Sequence, residues 1–252
     1  MDRNYSNEEE DIIFGVRAVI EAIRAERPIN KILIQRGMQK DLFKELKEEL
    51  ADKKYNLQFV PIHKLNRMTR KNHQGVIAHV SPIHYQEIAP ILDQLYELGE
   101  VPLFLILDRI TDVRNFGAIA RSAECTGVHA IIIPDKDSVS VTGDAIKTSA
   151  GALNKIPVCK VADLNSTIHY LRESGVQILS STEKTDKLVY EADLTVPLAV
   201  VMGSEENGVS MKILADSDIK AKIPMVGTID SLNVSVSAGI MLYEVTRQRN
   251  LE

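Results

Sequence analysis

Apolar residues in the first eighty positions follow two patterns, one typical of helices and one typical of strands. Stretches with helical spacing cover residues 13–23 and 41–53, where valine, isoleucine or leucine returns every three or four positions. Short runs rich in β-branched residues at 31–35, 57–60 and 75–80 are typical of strands. The pattern predicts a small α/β unit.

The pattern of apolar residues changes near residue 101, where strongly apolar runs begin to alternate with helical patterns. The runs predict strands at residues 103–107, 128–133, 176–180, 198–202 and 219–223. The helical patterns cover about 115–126, 143–153, 163–174, 209–215 and 234–249. Nearly continuous Leu, Ile and Val strands with helical crossovers predict a parallel sheet covered on both faces. Because ligands of such sheets bind beyond the carboxyl ends of the strands, we look for chemistry there.

Composition and charge divide the chain at the same place. Its 252 residues, 44% of them hydrophobic, are enough to bury a core. Residues 81–100, which carry two prolines and a short helical pattern, predict a linker between domains at 1–80 and 101–252. Residues 1–80 hold 15 Lys and Arg against 12 Asp and Glu, whereas residues 101–252 hold 15 against 19. A nucleic acid would therefore be gripped first by the N-terminal part, because neutralising phosphates takes Lys and Arg.

Several classes of protein find no support in the sequence. No apolar run approaches the roughly 20 residues that span a bilayer. The first residues are polar and acidic, unlike a signal peptide, so we expect a cytoplasmic protein. Cys125 and Cys159 lie in helical and strand patterns without metal-ligand spacing, and we expect both in the core. Neither a disulfide nor a metal site is predicted.

The segment after the strand at 103–107 combines charge with small residues. Residues 108–121 run from a charged loop into a helix rich in alanine and glycine. On spacing alone, Asn115 caps this helix and Arg121 is a solvated helical arginine. The alternative is that both belong to an active site at the edge of the sheet.

A second segment, residues 203–208, places two acids between two glycines after the strand at 198–202. Glycines allow a ligand to approach the backbone closely. The alternative is an ordinary turn with acids at a helix N-terminus, where the helix dipole favours them. The segment is not a GxGxxG fingerprint, so a nicotinamide-dependent dinucleotide fold has little support.

A third segment, residues 224–239, leads from a loop with Gly and Asp into the last helix. Ser231 or Asn233 could cap this helix. The small residues Ser235 and Gly239 near its start permit another backbone to approach. Its predicted buried face consists of Val234, Ala238, Met241 and Val245.

Together these segments resemble the SpoU/TrmH family of RNA ribose 2′-O-methyltransferases, within the SPOUT superfamily. Residues 114–121, 201–208 and 223–236 are similar to the family's first, second and third motifs, in the family's order and spacing. Residues 14–19 and 72–76 are similar to the N-terminal substrate-binding domain of one branch, whose fold is of the ribosomal-protein L30e type. Nearly the whole chain is covered.

The resemblance implies a fold and a set of ligands. The fold is α/β, with a small L30e-like N-terminal domain and a C-terminal parallel-sheet SPOUT domain threaded into a trefoil knot. The implied substrate is a guanosine ribose in large-subunit ribosomal RNA; transfer RNA, or a non-catalytic role in ribosome assembly, is the alternative. The implied assembly is a homodimer with the active site near the interface, which would explain Ser235 and Gly239. The implied cofactor is S-adenosylmethionine, held mainly through backbone groups at Gly203, Ile223, Met225 and Leu232.

The resemblance also implies roles in the reaction. Arg121 corresponds to a general base or hydroxyl activator. Because a guanidinium holds its proton strongly, the alternative is that Arg121 binds the RNA phosphate and stabilises the developing alkoxide. The residues that would position the substrate are Asn115, Glu205, Ser231 and Asn233.

A basic run in the N-terminal part is either an RNA contact or a solvated loop. It consists of Lys64, Arg67, Arg70, Lys71 and His73. One departure from the family concerns residues 138–142, which lack the asparagine that many relatives carry there, although the small-residue helix at 149–152 is kept.

Overall fold

The computed structural model describes residues 12–38, 41–51, 55–229 and 231–250. The chain forms two compact units. The first comprises Met1–His84 with Ser140–Gly143, and the second comprises Tyr85–Val139 with Asp144–Glu252.

The first unit is a four-stranded sheet with helices on both faces. The elements are β1 (Ile12–Phe14), α1 (Val16–Arg24), β2 (Ile29–Gln35), α2 (Asp41–Leu50), β3 (Leu57–Val60), α3 (Ile62–Met68) and β4 (Val76–Val80). The strand order is β1-β4-β2-β3, with β2 and β3 parallel and the other pairs antiparallel. One face packs against α1 and α2, and the other packs against α3.

The start of this unit differs from the sequence prediction. The helix predicted over 13–23 begins at Val16, after Gly15 with a φ of 92°, and the preceding residues form β1. β1 exists because it pairs with β4, more than sixty residues away in the chain. Local spacing does not show such a pairing. Helix α3 was also not predicted.

The second unit is a six-stranded sheet covered by helices. Its elements are α4 (Ile88–Glu97), β5 (Leu103–Leu107), α5 (Val113–Cys125), β6 (Ala130–Pro134), α6 (Gly143–Thr148), β7 (Val158–Val161), α7 (Leu164–Glu173), β8 (Gln177–Ser181), β9 (Leu198–Met202), α8 (Met211–Asp216), β10 (Ile219–Ala221) and α9 (Val234–Arg249). All strand pairs are parallel, in the order β10-β8-β9-β5-β6-β7. The predicted α/β fold with a small N-terminal unit and a parallel C-terminal sheet is confirmed. The trefoil threading stays a prediction.

The core of this unit lies on both faces of its central strands. All residues of β5 and β9 are buried, as expected of parallel strands covered by helices. Helix α4, in the segment predicted as a linker, packs Leu92 and Leu95 into the same cluster as Phe104 of β5. The predicted face of α9 is buried.

The two cysteines have different surroundings. Cys159 is buried in β7, and burial raises the pKa of its thiol to about 12. Cys125 is exposed at the end of α5, so the prediction of a core position was wrong for this residue. Among the described residues, every helix is too short or too polar to span a bilayer.

Candidate active site

Loops from several strands meet at the carboxyl edge of the six-stranded sheet. The neighbouring strands β5 and β9 end opposite each other, at Leu107 and Met202. Because these strands are parallel, residues 108–112 and 203–208 leave the sheet side by side. The start of α9 reaches the same place, through contacts of Asn233.

Three polar side chains converge there. Asn233 Nδ2 donates to Glu205 Oε1 at 2.7 Å and to Asn115 Oδ1 at 3.0 Å. Asn115 Nδ2 donates to the same Glu205 oxygen at 3.2 Å. The three residues come from the three segments that the sequence singled out. We call Asn115, Glu205 and Asn233 the polar cluster.

The N-caps of α5 and α9 determine what the side chains of Asn115 and Asn233 can bind. Asp112, and not Asn115, is the N-cap of α5, because its carboxylate accepts from the backbone N–H groups of Arg114 and Asn115. The Asn115 side chain is therefore available to Glu205. Of the two candidate caps of α9, the structure has Asn233, whose Oδ1 accepts from Ser235 N at 3.0 Å.

The loop of residues 203–208 folds back on itself. Gly208 N donates to Ser204 O at 2.8 Å, and Gly208 has a φ of 63°. A Cβ at Gly203 would lie 2.0 Å from both Gly208 C and Val209 N, closer than any side chain allows. Only glycine fits at position 203, because the backbone of Gly208 and Val209 occupies the place of a Cβ. Gly203 also lines the adjoining cleft.

That cleft has a volume of about 540 Å³, within the range of small-molecule sites. It contains all four residues that the resemblance assigns to the cofactor, together with Ser231 and Glu205. Its walls combine backbone, carboxylates and half-exposed apolar side chains. Its lining includes Gly203, Glu205, Ile223, Met225, Ser231 and Leu232.

Arg121 lies apart from the polar cluster within one chain. It is six residues beyond Asn115 on α5, about 9 Å further along the helix axis and on another face. Its side chain is exposed, does not line the cleft, and makes no hydrogen bond or ion pair within the described chain. The structure thus brings together four of the five predicted catalytic residues, but not Arg121.

The basic run of the first unit is largely exposed. Lys64, Arg67, Arg70 and Lys71 are exposed. His73 instead is buried: Nδ1 accepts from Gly75 N at 3.0 Å and the other ring nitrogen contacts Asn66 Oδ1 at 2.8 Å. Its ring holds this turn together, so the case for RNA contact rests on the four exposed cations.

Two residues of the site were not singled out from the sequence. Asp108 and Arg109, at the end of β5, bind each other and the loop of residues 203–208. The available signal was a charged pair directly after a buried strand. Among the described residues, no group of three or more His, Cys, Asp or Glu could hold a metal ion.

Comparison with known sequences gives matches over nearly the whole chain. The SpoU rRNA Methylase family matches residues 102–243, and the family described as RNA 2′-O ribose methyltransferase substrate binding matches residues 12–86. A Staphylococcus aureus (strain MSSA476) protein assigned to the TrmH family of tRNA/rRNA methyltransferases is 41% identical over 96% of this chain and 98% of its own length. YacO of Bacillus subtilis (strain 168), with the same assignment, is 34% identical over 97% and 98%.

Solved structures have the same fold. The SpoU methyltransferase AviRb from Streptomyces viridochromogenes, solved with AdoMet, aligns with a TM-score of 0.61 and 24% identity over 96% of this chain and 91% of its own. The TrmH/SpoU tRNA modifying enzyme of A. aeolicus aligns with a TM-score of 0.55 and 30% identity over 64% and 83%.

A parallel sheet with a polar cluster and a glycine-lined cleft at its carboxyl edge is typical of an α/β enzyme that binds a small molecule in that cleft. The chain belongs to the SpoU/TrmH family of RNA methyltransferases, and the predicted resemblance is confirmed.

Proposed function

We propose that this chain transfers a methyl group from S-adenosylmethionine to a ribose 2′-hydroxyl, that of a guanosine in large-subunit ribosomal RNA. The observation that carries the proposal is the polar cluster, which borders the cleft and draws one side chain from each of the three family motifs. The substrate-binding family match at residues 12–86 supports RNA as the substrate.

The cleft suits S-adenosylmethionine. Gly203 lines the cleft without a side chain, so its backbone groups are available to a bound cofactor. Half-exposed Met225 and Leu232 offer apolar surface for an adenine ring. Glu205 and Glu206, in the same lining, offer negative charge to a cationic ligand. When bound, the cofactor supplies a methyl group already activated as a sulfonium.

The chain's own residues then have to orient the ribose and remove its proton. Glu205 is held by two amide donors, and Asn233 is fixed in turn by capping α9. A carboxylate held in this way can accept a hydrogen bond from a ribose hydroxyl. Ser231 lines the cleft beside it and would help to position the sugar.

Arg121 would act at this site through a homodimer. Helix α9 exposes an apolar stripe of Val236, Ile240 and Tyr243 at spacings of four and three residues. The stripe lies beside α5, since a Cβ at Gly239 would be 3.7 Å from Ser122 Oγ. A dimer formed through this face would place Arg121 near the partner's cleft. There it would activate the hydroxyl or bind the adjoining phosphate.

The decisive experiment incubates the protein with labelled S-adenosylmethionine and, separately, ribosomal RNA and transfer RNA, and then maps the modified nucleotide. Methylation of a guanosine 2′-hydroxyl in the large-subunit RNA supports the proposal. Methylation of transfer RNA alone would mean that transfer RNA, and not ribosomal RNA, is the substrate. Cofactor binding without methyl transfer to either RNA favours a non-catalytic factor.

Charge reversal at Arg67 and Arg70 should lower the affinity for RNA and the dependence of that affinity on salt.

The role of Arg121 is tested by mixing variants. Arg121→Ala should abolish methyl transfer while calorimetry still shows cofactor binding. An equimolar mixture of Arg121→Ala and Glu205→Gln chains should regain part of the activity if each site draws these residues from different subunits. No recovery, in a mixture shown to form mixed dimers, excludes the dimer-based role.

A further inference from the structure

Two residues outside the three family motifs bind the loop of residues 203–208. They lie at the end of the neighbouring strand β5. Asp108 is 5% exposed, and its Oδ2 accepts from Ser210 N at 2.7 Å. Arg109 donates from Nε to Asp108 Oδ1 at 3.0 Å and from Nη2 to Asp108 Oδ2 at 3.1 Å. The same Nη2 donates to Gly208 O at 2.9 Å. We call Asp108 and Arg109 the clamp.

The backbone at the clamp is itself constrained. Asp108 N donates to Met202 O at 2.9 Å, which continues the pairing of β5 with β9. Arg109 has a φ of 60°, in the left-handed region that residues other than glycine rarely adopt. Such a conformation persists only when the surroundings enforce it, and it is common at functional sites.

The clamp acts on the far end of the loop that carries Glu205. Gly203 continues directly from β9, whereas Gly208 and Ser210 are bound by Arg109 and Asp108. Within the loop, the carbonyl oxygen of Ser204 accepts from Gly208 N, and its hydroxyl oxygen accepts from Asn207 N. Glu205 lies between these anchored ends and is exposed.

We propose that Asp108 and Arg109 are positioning residues for methyl transfer, which hold the loop of residues 203–208 so that Glu205 meets Asn115 and Asn233. This inference rests on the function proposed above. The planar fork of arginine is required, because it joins both Asp108 oxygens and Gly208 O at once. A lysine ammonium keeps the charge but cannot reproduce that geometry.

The chain contains a matched control at the opposite edge of the sheet. Arg172 donates from Nε and Nη2 to Asp218 Oδ1 at 3.1 and 2.8 Å. Asp218 Oδ2 accepts from Ile178 N at 2.9 Å. This pair has the chemistry of the clamp and a similarly exposed arginine, but it lies far from the polar cluster.

Hydrogen exchange tests the clamp without any need for activity. In Arg109→Ala and Arg109→Lys, amide exchange should rise at least about tenfold in the peptide that covers residues 203–210. Arg172→Ala should leave that peptide unchanged. Unchanged exchange in both Arg109 variants overturns the inference, whether or not the protein methylates RNA.

A double-mutant cycle then separates positioning from simple stability. In the unaltered background, Arg109→Ala and Arg109→Lys should lower kcat by roughly 10- to 100-fold, with a much smaller change in the KM for RNA. In a Glu205→Gln background the same changes should cost about twofold or less. Full additivity, or normal kcat in Arg109→Lys, rejects the positioning role. If the unaltered chain shows no methyl transfer, the proposed function is wrong. The hydrogen-exchange experiment still shows whether Asp108 and Arg109 hold the loop.

Discussion

The amino and carboxyl edges of the six-stranded sheet both have cavities and charged pairs, but the polar groups at the two edges have different roles. The cavity at the amino edge is the larger, about 630 Å³ against about 540 Å³. Its polar side chains form separate pairs: His169 Nε2 lies 3.2 Å from Glu173 Oε1, and Arg172 is paired with Asp218. At the carboxyl edge, residues as far apart as Asn115 and Asn233 converge on one carboxylate. The convergence of two amide side chains on one shared carboxylate, and not cavity size, distinguishes the candidate active site.

The strongest test of this difference is Gly203→Ala. The new methyl group would meet backbone atoms of Gly208 and Val209 at 2.0 Å, so the loop must move. We expect methyl transfer to fall to about 1% or less, with weaker S-adenosylmethionine binding, measured by initial rates and calorimetry. Gly227→Ala, where no atom lies within 4 Å of the new Cβ, is the control and should stay within about twofold. A fully active Gly203→Ala would show that the loop conformation is not needed.

At the amino edge the corresponding test is Arg249→Ala, which should affect stability. The guanidinium donates to four carbonyl oxygens there, those of Val101, Pro102, Leu194 and Val196. Its removal takes one donor from each of these acceptors, so the free energy of unfolding should fall by about 2 to 4 kcal/mol. Denaturant melts would measure this loss.

Arg247→Ala is the control for that change, because Arg247 is bonded to Glu244 on its own helix and is exposed. It should leave the melt unchanged. Below its melting range, Arg249→Ala should retain cofactor affinity. Selective loss of that affinity without loss of stability would contradict a purely structural amino edge.

Much of this contrast could be predicted from the sequence, because it depends on local patterns. Strands at 57–60, 103–107 and 198–202 have the predicted bounds, and the buried face of α9 is as predicted. The three site segments were recognised by their position after strands and by family resemblance. The polar cluster follows from them once the sheet is parallel.

Some of the features that were missed depend on contacts between distant residues, and others on the geometry of a single turn. β1 needs its partner strand, and the cap of α5 passes from Asn115 to Asp112 because the helix begins earlier than its apolar pattern. His73 belongs to a basic run in sequence but is buried by its turn. The clamp depends on hydrogen bonds about one hundred residues apart, which no local spacing encodes.

Asp218→Ala sharpens the comparison with a smaller effect. It removes the acceptor of Ile178 N and the partner of Arg172. An unsatisfied backbone N–H in strand β8 should cost about 1 to 2 kcal/mol of stability, seen as a lower melting temperature. Turnover should be unaffected, whereas Asp108→Ala, its counterpart at the carboxyl edge, should lower turnover. Equal loss of turnover in both variants would erase the distinction between the edges.

The smallest effect is expected at Asp163, which lies at the carboxyl edge but outside the polar cluster. It caps α7, and hydrogen bonds from the side chains of Ser166 and Asn165, followed by the backbone N–H of Ser166, hold the pKa of its carboxyl well below the usual range. Asp163→Ala should cost about 1 kcal/mol of stability at neutral pH, the usual worth of an N-cap.

The pH dependence of that loss follows from the direction of the shift. A lowered pKa in the folded chain means that the cap's contribution is complete above about pH 4, the ordinary value for an aspartate, and declines as the carboxyl is protonated at lower pH. Melts of Asp163→Ala and the unaltered chain should therefore differ at pH 7 and converge in strong acid. Methyl transfer at pH 7 should be equal in the two proteins. A marked loss of turnover would mean that lying at the carboxyl edge suffices for function, without membership of the polar cluster.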